Sequence, residues 1–279
     1  MKDIQNSLMT NPVELLYILG PGHCGSTLLN LCLDKHSSVI GVSEIITLNR
    51  KIPGWSGEEN IFDSYFWSKV DRLMQEKHRV GLTDIPFSFR AKAKKLSHDT
   101  LLQYNKIALE AVLEIAGKNI IADASKNPKR LDALLGSPLF KVRVIYLVRD
   151  GRAIVHAYRR KYGNWLVGWF NLMRTENAAN SLMSQYGSDN WLTIRYEDMV
   201  TNLEDTLKTI CKFSGIKFEP TMLLPDTKNF NGLGGNRLRK HPIKDIILDK
   251  SWKTQMSVLM RTFTAFTVAK FNRRHGYTD

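Results

Sequence analysis

The sequence has no run of about 18 uncharged apolar residues, the length that a membrane-spanning helix requires. Its best candidate, VLMRTFTAFTVAKF, contains Arg261 and Lys270 and is typical of an amphipathic or core helix. The opening MKDIQNSLMT also lacks the apolar stretch of a secretory signal. We therefore expect a soluble, cytoplasmic protein with no membrane partner.

Cysteine is scarce, because the chain has only Cys24, Cys32 and Cys211 and no CxxC pair among them. This number argues against a disulfide framework or a zinc site and fits a reducing compartment. We predict that Cys32 and Cys211 are small buried hydrophobic residues. The sequence contains no cluster of metal-ligating residues either, so we expect no metal cofactor.

Acidic residues are few relative to basic ones: 27 Asp and Glu stand against 40 Lys and Arg, a formal net charge of +13. Such a balance indicates an anionic partner, which can be a nucleic acid, a membrane surface or a polyanionic small molecule. Charge alone does not choose among these partners. The chain has no recognisable nucleic-acid-reading motif, so we expect no nucleic acid partner.

Apolar runs alternate with helical patterns along the chain. The segments ELLYILG (14–20), NIIADAS (119–125), VRVIYLV (142–148) and WLTIRYED predict buried strands. Alternation of this kind predicts an α/β fold with a central parallel sheet between two layers of helices, whose ligands bind at the carboxyl ends of the strands. We expect one domain over residues 1–279, with a helical insertion from about 50 to 117.

Three helix boundaries are also predicted in the second half of the chain. A short helix follows Pro128, and TNLEDTLKTICKFSG forms a helix with Thr201 as its N-cap and Gly215 as its stop. The last helix is predicted to begin at Ser251. The sequence carries no indication of the oligomeric state.

The stretch GPGHCGST nearly matches a phosphate-binding P-loop. Gly20, Gly25 and Thr27 fit the pattern, but Ser26 stands where a P-loop has lysine. Since that lysine contacts the β- and γ-phosphates of a nucleoside triphosphate, the loop fits a single phosphate better. The simpler alternative is a tight turn between strand and helix that binds no ligand.

Cations follow the strand VRVIYLV. Arg149 ends the strand, and Arg149, Arg152 and Lys161 are candidates for binding a second phosphate. We predict that two neighbours in the same helix, Arg159 and Arg160, lie on a solvated face.

Together these motifs resemble a known family. The loop GxGHxGSTLL, the strand ending LVRDGRA and the later RYEDM are similar to sulfotransferases that use 3′-phosphoadenosine 5′-phosphosulfate (PAPS). The similarity runs from Gly20 to Trp252, and RDGRAxVH most resembles the tyrosylprotein sulfotransferases and their bacterial relatives. It implies a P-loop-like fold and a PAPS donor, with adenosine 3′,5′-bisphosphate as product.

The resemblance assigns residues to the donor. It implies that the loop binds the phosphosulfate end through Gly22, His23, Cys24, Gly25, Ser26 and Thr27, the last three gripping the 5′-phosphate. It implies that Arg149 and Lys161 bind the 3′-phosphate and that Tyr196 lies near the adenine. The GGNRLRKH stretch resembles a basic loop that closes over the 3′-phosphate, with either Arg237 or Arg239 in contact.

Two positions depart from the family pattern. His23 stands where the family usually has Lys or Arg, and Ala157 stands where the 3′-phosphate motif usually has serine. Either His23 or Lys126 could replace the usual loop cation.

The resemblance also implies catalytic roles for three residues. Glu44 matches a general base, Lys126 matches a lysine that contacts the transferred sulfuryl group, and His23 is placed to donate to the bridging oxygen. The plainer alternatives are a surface glutamate, a lysine paired with Asp123 and a structural histidine.

The predicted activity is in-line transfer of a sulfuryl group from PAPS to a hydroxyl or amine, which we expect to belong to a small molecule. Alternatives are sulfation of protein tyrosine, a P-loop-type small-molecule kinase and a basic nucleic-acid-binding module. Aromatic residues of the helical region are candidates for lining the acceptor pocket or filling the core: Trp55, Tyr65, Phe66, Trp67, Phe87 and Phe89.

Overall fold

The computed structural model describes residues 11–48, 64–89, 96–228, 230–234, 243 and 245–277. Five strands form one sheet, in which every neighbouring pair is parallel. The strands are β1 (Val13–Leu19), β2 (Val39–Ser43), β3 (Ile120–Asp123), β4 (Phe140–Val148) and β5 (Trp191–Arg195). The predicted α/β fold with a central parallel sheet is confirmed.

Helices flank this sheet. They are α1 (Ser26–Asp34), α2 (Tyr65–His78), α3 (His98–Ala116), α4 (Pro128–Leu135), α5 (Gly151–Tyr162), α6 (Trp165–Tyr186), α7 (Tyr196–Thr201), α8 (Leu203–Ser214), α9 (Ser251–Gln255) and α10 (Val258–Arg274). Within the described ranges, no helix is both long and apolar enough to cross a membrane.

The strands form because their side chains are apolar on both faces, as expected when helices cover both sides of a parallel sheet. In β1 the consecutive residues Leu15, Leu16 and Tyr17 are at most 1% exposed. The core continues into β4, where Val144 and Ile145 are fully buried.

Sheet topology fixes where a ligand can bind. The strand order is β2-β3-β1-β4-β5, so β1 lies between β3 and β4. The chain leaves β1 toward one side of the sheet and later crosses to the other, which opens a crevice at the carboxyl end of β1. The near-P-loop lies at this point.

Several predicted helix boundaries agree with the structure. Helix α4 begins at Pro128 and is capped by Asn127, whose side chain accepts from Arg130 N at 3.0 Å. Gly215 ends α8 with a φ of 73°, a conformation that suits glycine. Cys32 and Cys211 are buried, as predicted.

The Thr201 prediction is wrong. Thr201 is the last residue of α7, and its Oγ1 donates to Glu197 O at 2.9 Å instead of capping the next helix. Asn202 holds the N-cap position of α8. The sequence predicted one helix in this region, but the structure has two, because the segment from Tyr196 to Thr201 already forms α7.

The last predicted helix is divided in two. Helix α9 ends at Gln255, and Ser257 caps α10 by accepting from Met260 N at 3.3 Å. Trp252 and Met256 are buried against Ala153 of α5. This anchoring turns the chain between the two helices. Helix α6, 22 residues long, was not predicted.

Candidate active site

All five strands end beside residues that line one cavity of about 750 Å³. In sheet order these residues are Glu44 after β2, Lys126 after β3, the loop after β1, Arg149 after β4 and Tyr196 after β5. The structure therefore brings together all but three of the predicted site residues: Cys24, Arg237 and Arg239. Arg237 and Arg239 lie outside the described residues.

The loop after β1 leads directly into helix α1. Gly25 occupies the N-cap position with a φ of 97°, and no side chain caps this helix start. A Cβ at Gly25 would lie 2.4 Å from Cδ2 of Tyr196, so the loop tolerates only glycine there. The first turn of α1 contains no acidic residue. An uncapped helix start of this kind presents backbone N–H groups and a positive dipole end to an anion.

The loop side chains differ in position. Ser26 and Thr27 are buried but line the cavity, whereas Cys24 is fully buried in the core and does not line it. The backbone N–H of Cys24 donates to Pro21 O at 3.3 Å. The prediction of a ligand-binding Cys24 therefore fails for its side chain. Gly22 N donates to Asn171 Oδ1 at 2.7 Å, which anchors the loop to α6.

His23 is held in the left-handed region with a φ of 67°. Its ring lies edge-on to Tyr158, with the ring centroids 5.0 Å apart. Burial, together with the nearby cations Lys161 and Arg149, lowers the pKa of His23 to about 4. In the protein without bound ligand the ring is therefore neutral at pH 7.

Glu44 and Lys126 form an ion pair in the cavity wall. Lys126 Nζ donates to Glu44 Oε1 at 2.5 Å, and the two side chains are 15% and 24% exposed respectively. Burial alone would lower the pKa of Lys126, but the Glu44 carboxylate outweighs it and raises this pKa above its usual value. Lys126 is thus a firmly charged cation beside a carboxylate.

The predicted alternative, pairing of Lys126 with Asp123, is not what the structure shows. Asp123 instead accepts from Arg130 Nε at 2.8 Å, and both side chains are fully buried. Arg130 also donates to Asn105 Oδ1 at 2.6 Å. This buried pair fixes the turn after β3 and leaves Lys126, with a φ of 52°, directed to Glu44.

Arg149 lies under the opposite end of the cavity. Its Nη1 donates to His23 O at 2.9 Å, and its guanidinium carbon lies 4.5 Å from the centre of the Tyr196 ring. Arg149 Nη2 lies 3.2 Å from Asp249 Oδ2. Within the described part of the chain, its buried Nε has no hydrogen-bond partner.

The other cations of α5 differ in whether they line the cavity. Lys161 lines the cavity as expected, and Arg160, which is exposed as predicted, also borders it. Arg152 does not line it, because its side chain pairs with Asp150 at 2.9 Å and stacks on Trp252. Arg159 is exposed, as predicted.

Sequence reasoning missed the segment that precedes α9. Asp245, Ile246, Ile247 and Asp249 line the cavity. Hydrogen bonds from Ser251 and the charge of Arg149 outweigh partial burial and hold the pKa of Asp249 at about 2. Asp249 therefore places a negative charge on the arginine that was predicted to bind phosphate. No motif in the sequence signals this contact.

The aromatic candidates for the acceptor pocket do not line this cavity among the described residues. Trp67 and Phe87 are buried in the core, Phe66 and Phe89 pack against it, and Tyr65 is 75% exposed. Trp55 lies outside the described residues. In the same ranges, no group of three or more His, Cys, Asp or Glu side chains is placed to hold a metal ion.

Two family models match the chain. One, described as "Sulfotransferase family", matches residues 16–220, more than half of the chain. The other, described as "Sulfotransferase domain", matches residues 172–271. The two matches together cover residues 16–271, which include strands β2 to β5, most of β1 and the cavity residues described above. A search of curated proteins finds no significant match.

Solved structures share the fold at low sequence identity. The sulfotransferase domain of the Synechococcus PCC 7002 olefin synthase is 21% identical with a TM-score of 0.61, covering 93% of this chain and 96% of its own. The sulfotransferase domain from the curacin biosynthetic pathway is 19% identical with a TM-score of 0.57, covering 93% and 98%. Sulfotransferase STF9 from Mycobacterium avium is 13% identical with a TM-score of 0.57, covering 98% and 80%.

Proposed function

The chain belongs to the sulfotransferase family, and from this premise we propose that it transfers a sulfuryl group from PAPS to a hydroxyl or amine of a small-molecule acceptor. The observation that supports this most directly is the row of strand ends on one cavity, from Glu44 and Lys126 through the loop to Arg149. A carboxylate and a cation lie at one end of this row and an arginine lies at the other, which supports a base at the first end and a phosphate contact at the second.

Three features of the cavity fit a nucleotide with two separate anionic groups. The uncapped start of α1 offers backbone N–H groups to one of them. The buried Nε of Arg149, which lacks a partner in the described ranges, is a donor for the other. Lys161 and Arg160 add positive charge along the same wall. We propose that the loop holds the 5′-phosphosulfate and that Arg149 and Lys161 hold the 3′-phosphate.

PAPS, when bound, supplies the sulfuryl group and a nucleotide phosphate as leaving group. The residues of this chain supply the rest: Glu44 accepts the proton of the acceptor hydroxyl or amine, and the Lys126 ammonium stabilises negative charge that develops beside it. The 2.5 Å contact between them fixes the orientation of the carboxylate. Lys126, with its raised pKa, takes the place of the usual loop cation.

His23 contributes as a neutral group in this proposal. Its ring can donate one hydrogen bond toward the bridging oxygen, but with a pKa of about 4 it carries no charge at pH 7 before the donor binds. Lys161 and Arg149 contribute to lowering the pKa of His23. Phosphate groups bound beside the ring would counter the positive charge of these cations and so raise this pKa.

We expect His23 in the free protein to titrate near pH 4 and to titrate at higher pH once adenosine 3′,5′-bisphosphate is bound. Nuclear magnetic resonance of the ring, with His23→Gln to assign its signal, measures both values. Calorimetry in two buffers of different ionisation enthalpy should then show proton uptake on binding near pH 5. If the pH at the midpoint of the His23 titration is the same in the free protein and in the complex, the bound phosphates do not lie beside His23.

The nature of the acceptor and the compartment are also proposals. A cavity of about 750 Å³ suits a nucleotide beside a small acceptor. Three free, buried cysteines are compatible with a reducing cytoplasm. We keep a single domain over the whole chain as a prediction.

Thermal denaturation tests the donor. We expect adenosine 3′,5′-bisphosphate to raise the melting temperature and ATP with magnesium to raise it much less, because Ser26 replaces the P-loop lysine. Labelled PAPS incubated with the enzyme and a cell extract should then label a small molecule. Stabilisation by ATP with magnesium but not by the bisphosphate would favour a kinase and contradict the proposal, and labelled protein tyrosine would contradict the acceptor class.

A further inference from the structure

Helices α6 and α10 form an exposed apolar face next to each other. Trp165 of α6 packs edge-on against Phe263 of α10, with ring centroids 5.3 Å apart, and Trp169 Nε1 donates to Thr267 O at 3.2 Å. Besides Val258, six large apolar side chains on these helices are between 42% and 85% exposed: Leu166, Val167, Phe170, Leu259, Phe263 and Phe266. We call this set the α6–α10 face. Exposed apolar side chains gathered in one patch mark an interaction site.

Positive charge predominates around this face, since the flanking carboxylates Asp150, Glu176 and Asp249 are each paired with an arginine. Residues 151–175 contain five Lys and Arg residues and residues 250–278 contain six, whereas neither segment contains an acidic residue. Most of the net charge of +13 therefore belongs to α5, α9, α10 and the first half of α6. Contacts join α5 to α6, α9 and α10, so these cations lie on neighbouring helices.

The apolar and basic residues share one stripe of α10. Leu259, Phe263 and Phe266 are spaced by four and three residues, and Lys270 and Arg273 continue the same spacing on exposed positions. Arg159 of α5 borders the face, since it lines a small surface pocket together with Trp165, Leu259 and Phe263. The face thus has an apolar centre with cations at its margins.

We propose that the α6–α10 face docks on an anionic phospholipid bilayer. Exposed Phe and Leu side chains partition below the headgroups, Trp side chains suit the interface, and Lys and Arg side chains bind anionic headgroups. A second copy of the chain fits poorly, because two such faces would set cations against cations without a compensating carboxylate. This proposal replaces our expectation of no membrane partner, which rested on the lack of a membrane-spanning segment and a secretory signal and not on the surface. A bilayer surface is one of the anionic partners that the net charge indicates, and docking does not depend on the proposed sulfotransfer.

Vesicle sedimentation with the full chain tests this docking without turnover. We expect binding to vesicles that contain phosphatidylglycerol and little binding to pure phosphatidylcholine, with a steep loss as salt rises. Leu259→Ser with Phe266→Ser should weaken binding about tenfold or more. Lys270→Gln with Arg273→Gln should weaken it about thirtyfold, since each cation near an anionic surface contributes about fivefold.

Matched controls lie elsewhere on the surface. Leu224 is 74% exposed, and Lys212 is exposed on α8, so Leu224→Ser and Lys212→Gln should bind vesicles like wild type. Near-ultraviolet circular dichroism checks that every variant is folded. The proposal is overturned if wild type ignores anionic vesicles, if it binds neutral vesicles equally well, or if the controls weaken binding as much as the α6–α10 face variants. It is equally overturned if those variants abolish a dimer in ultracentrifugation while vesicle binding persists.

Discussion

Glu44→Gln is expected to lower kcat by about 10²- to 10⁴-fold, the usual contribution of a general base. Glutamine keeps the size of the side chain and can still accept a hydrogen bond from Lys126, but its amide cannot accept the acceptor proton. Binding of adenosine 3′,5′-bisphosphate should persist, since Glu44 follows β2 and Arg149 follows β4, three strands away in the sheet. Initial rates with labelled PAPS and isothermal titration of the bisphosphate measure the two quantities.

A paired glutamate outside the site provides the control. Glu14, in β1, contacts Lys141 at 2.8 Å and Arg143 at 3.3 Å, so Glu14→Gln also breaks ion pairs but leaves the cavity intact. It should turn over like wild type. Glu44→Asp keeps a carboxylate one methylene shorter and should retain an intermediate kcat. Wild-type turnover in Glu44→Gln would remove Glu44 from the role of base while leaving the donor site untouched.

Arg149→Gln is expected to weaken binding of adenosine 3′,5′-bisphosphate by about hundredfold, the range found when one partner of a buried charged contact is removed. Arg149 is 6% exposed, so its contact with a phosphate would be screened little by solvent. The measurement is titration calorimetry at fixed salt. Arg72→Gln, an exposed arginine on α2, should bind like wild type.

Asp249→Asn should tighten the binding of adenosine 3′,5′-bisphosphate, whereas Arg149→Gln should weaken it. The Asp249 carboxylate lies 3.2 Å from Arg149 Nη2 and would compete with a phosphate for it. Asparagine keeps an oxygen for Ser251 N, which Asp249 Oδ1 accepts at 3.0 Å, so the start of α9 is preserved. We expect about tenfold tighter binding. If both variants bind like wild type, the 3′-phosphate does not contact Arg149.

Much of the cavity was predictable because parallel strands end at one edge of a sheet. Glu44 and Arg149 each directly follow a strand whose last residues are buried, so an apolar run followed by a polar residue was a sufficient signal for them. Tyr196 follows the partly exposed strand β5 and was assigned by the resemblance. The glycine loop was found by its spacing. The confirmed α/β fold follows from the same alternation of apolar runs and helical patterns, whereas the roles of these residues stay predictions.

Contacts between distant segments were not predictable. Lys126 and Glu44 are 82 residues apart, and Arg149 and Asp249 are 100 apart, so no local pattern joins them. One prediction in α5 is wrong for a different reason: Arg152 pairs with Asp150, the N-cap residue of its own helix, and does not line the cavity. Which face of a helix meets a cavity depends on how the helix packs, and the charge pattern does not encode this.

Backbone hydrogen bonds between the strands fix the spacing between the site residues at the strand ends. Adjacent strands lie about 4.8 Å apart, so the five strand ends span about 19 Å in a fixed sequence from Glu44 to Tyr196. No single strand can shift its functional residue sideways without breaking pairing with its neighbours. Substitutions in the loops can therefore change what the cavity binds far more readily than they can change the distance between Glu44 and Tyr196.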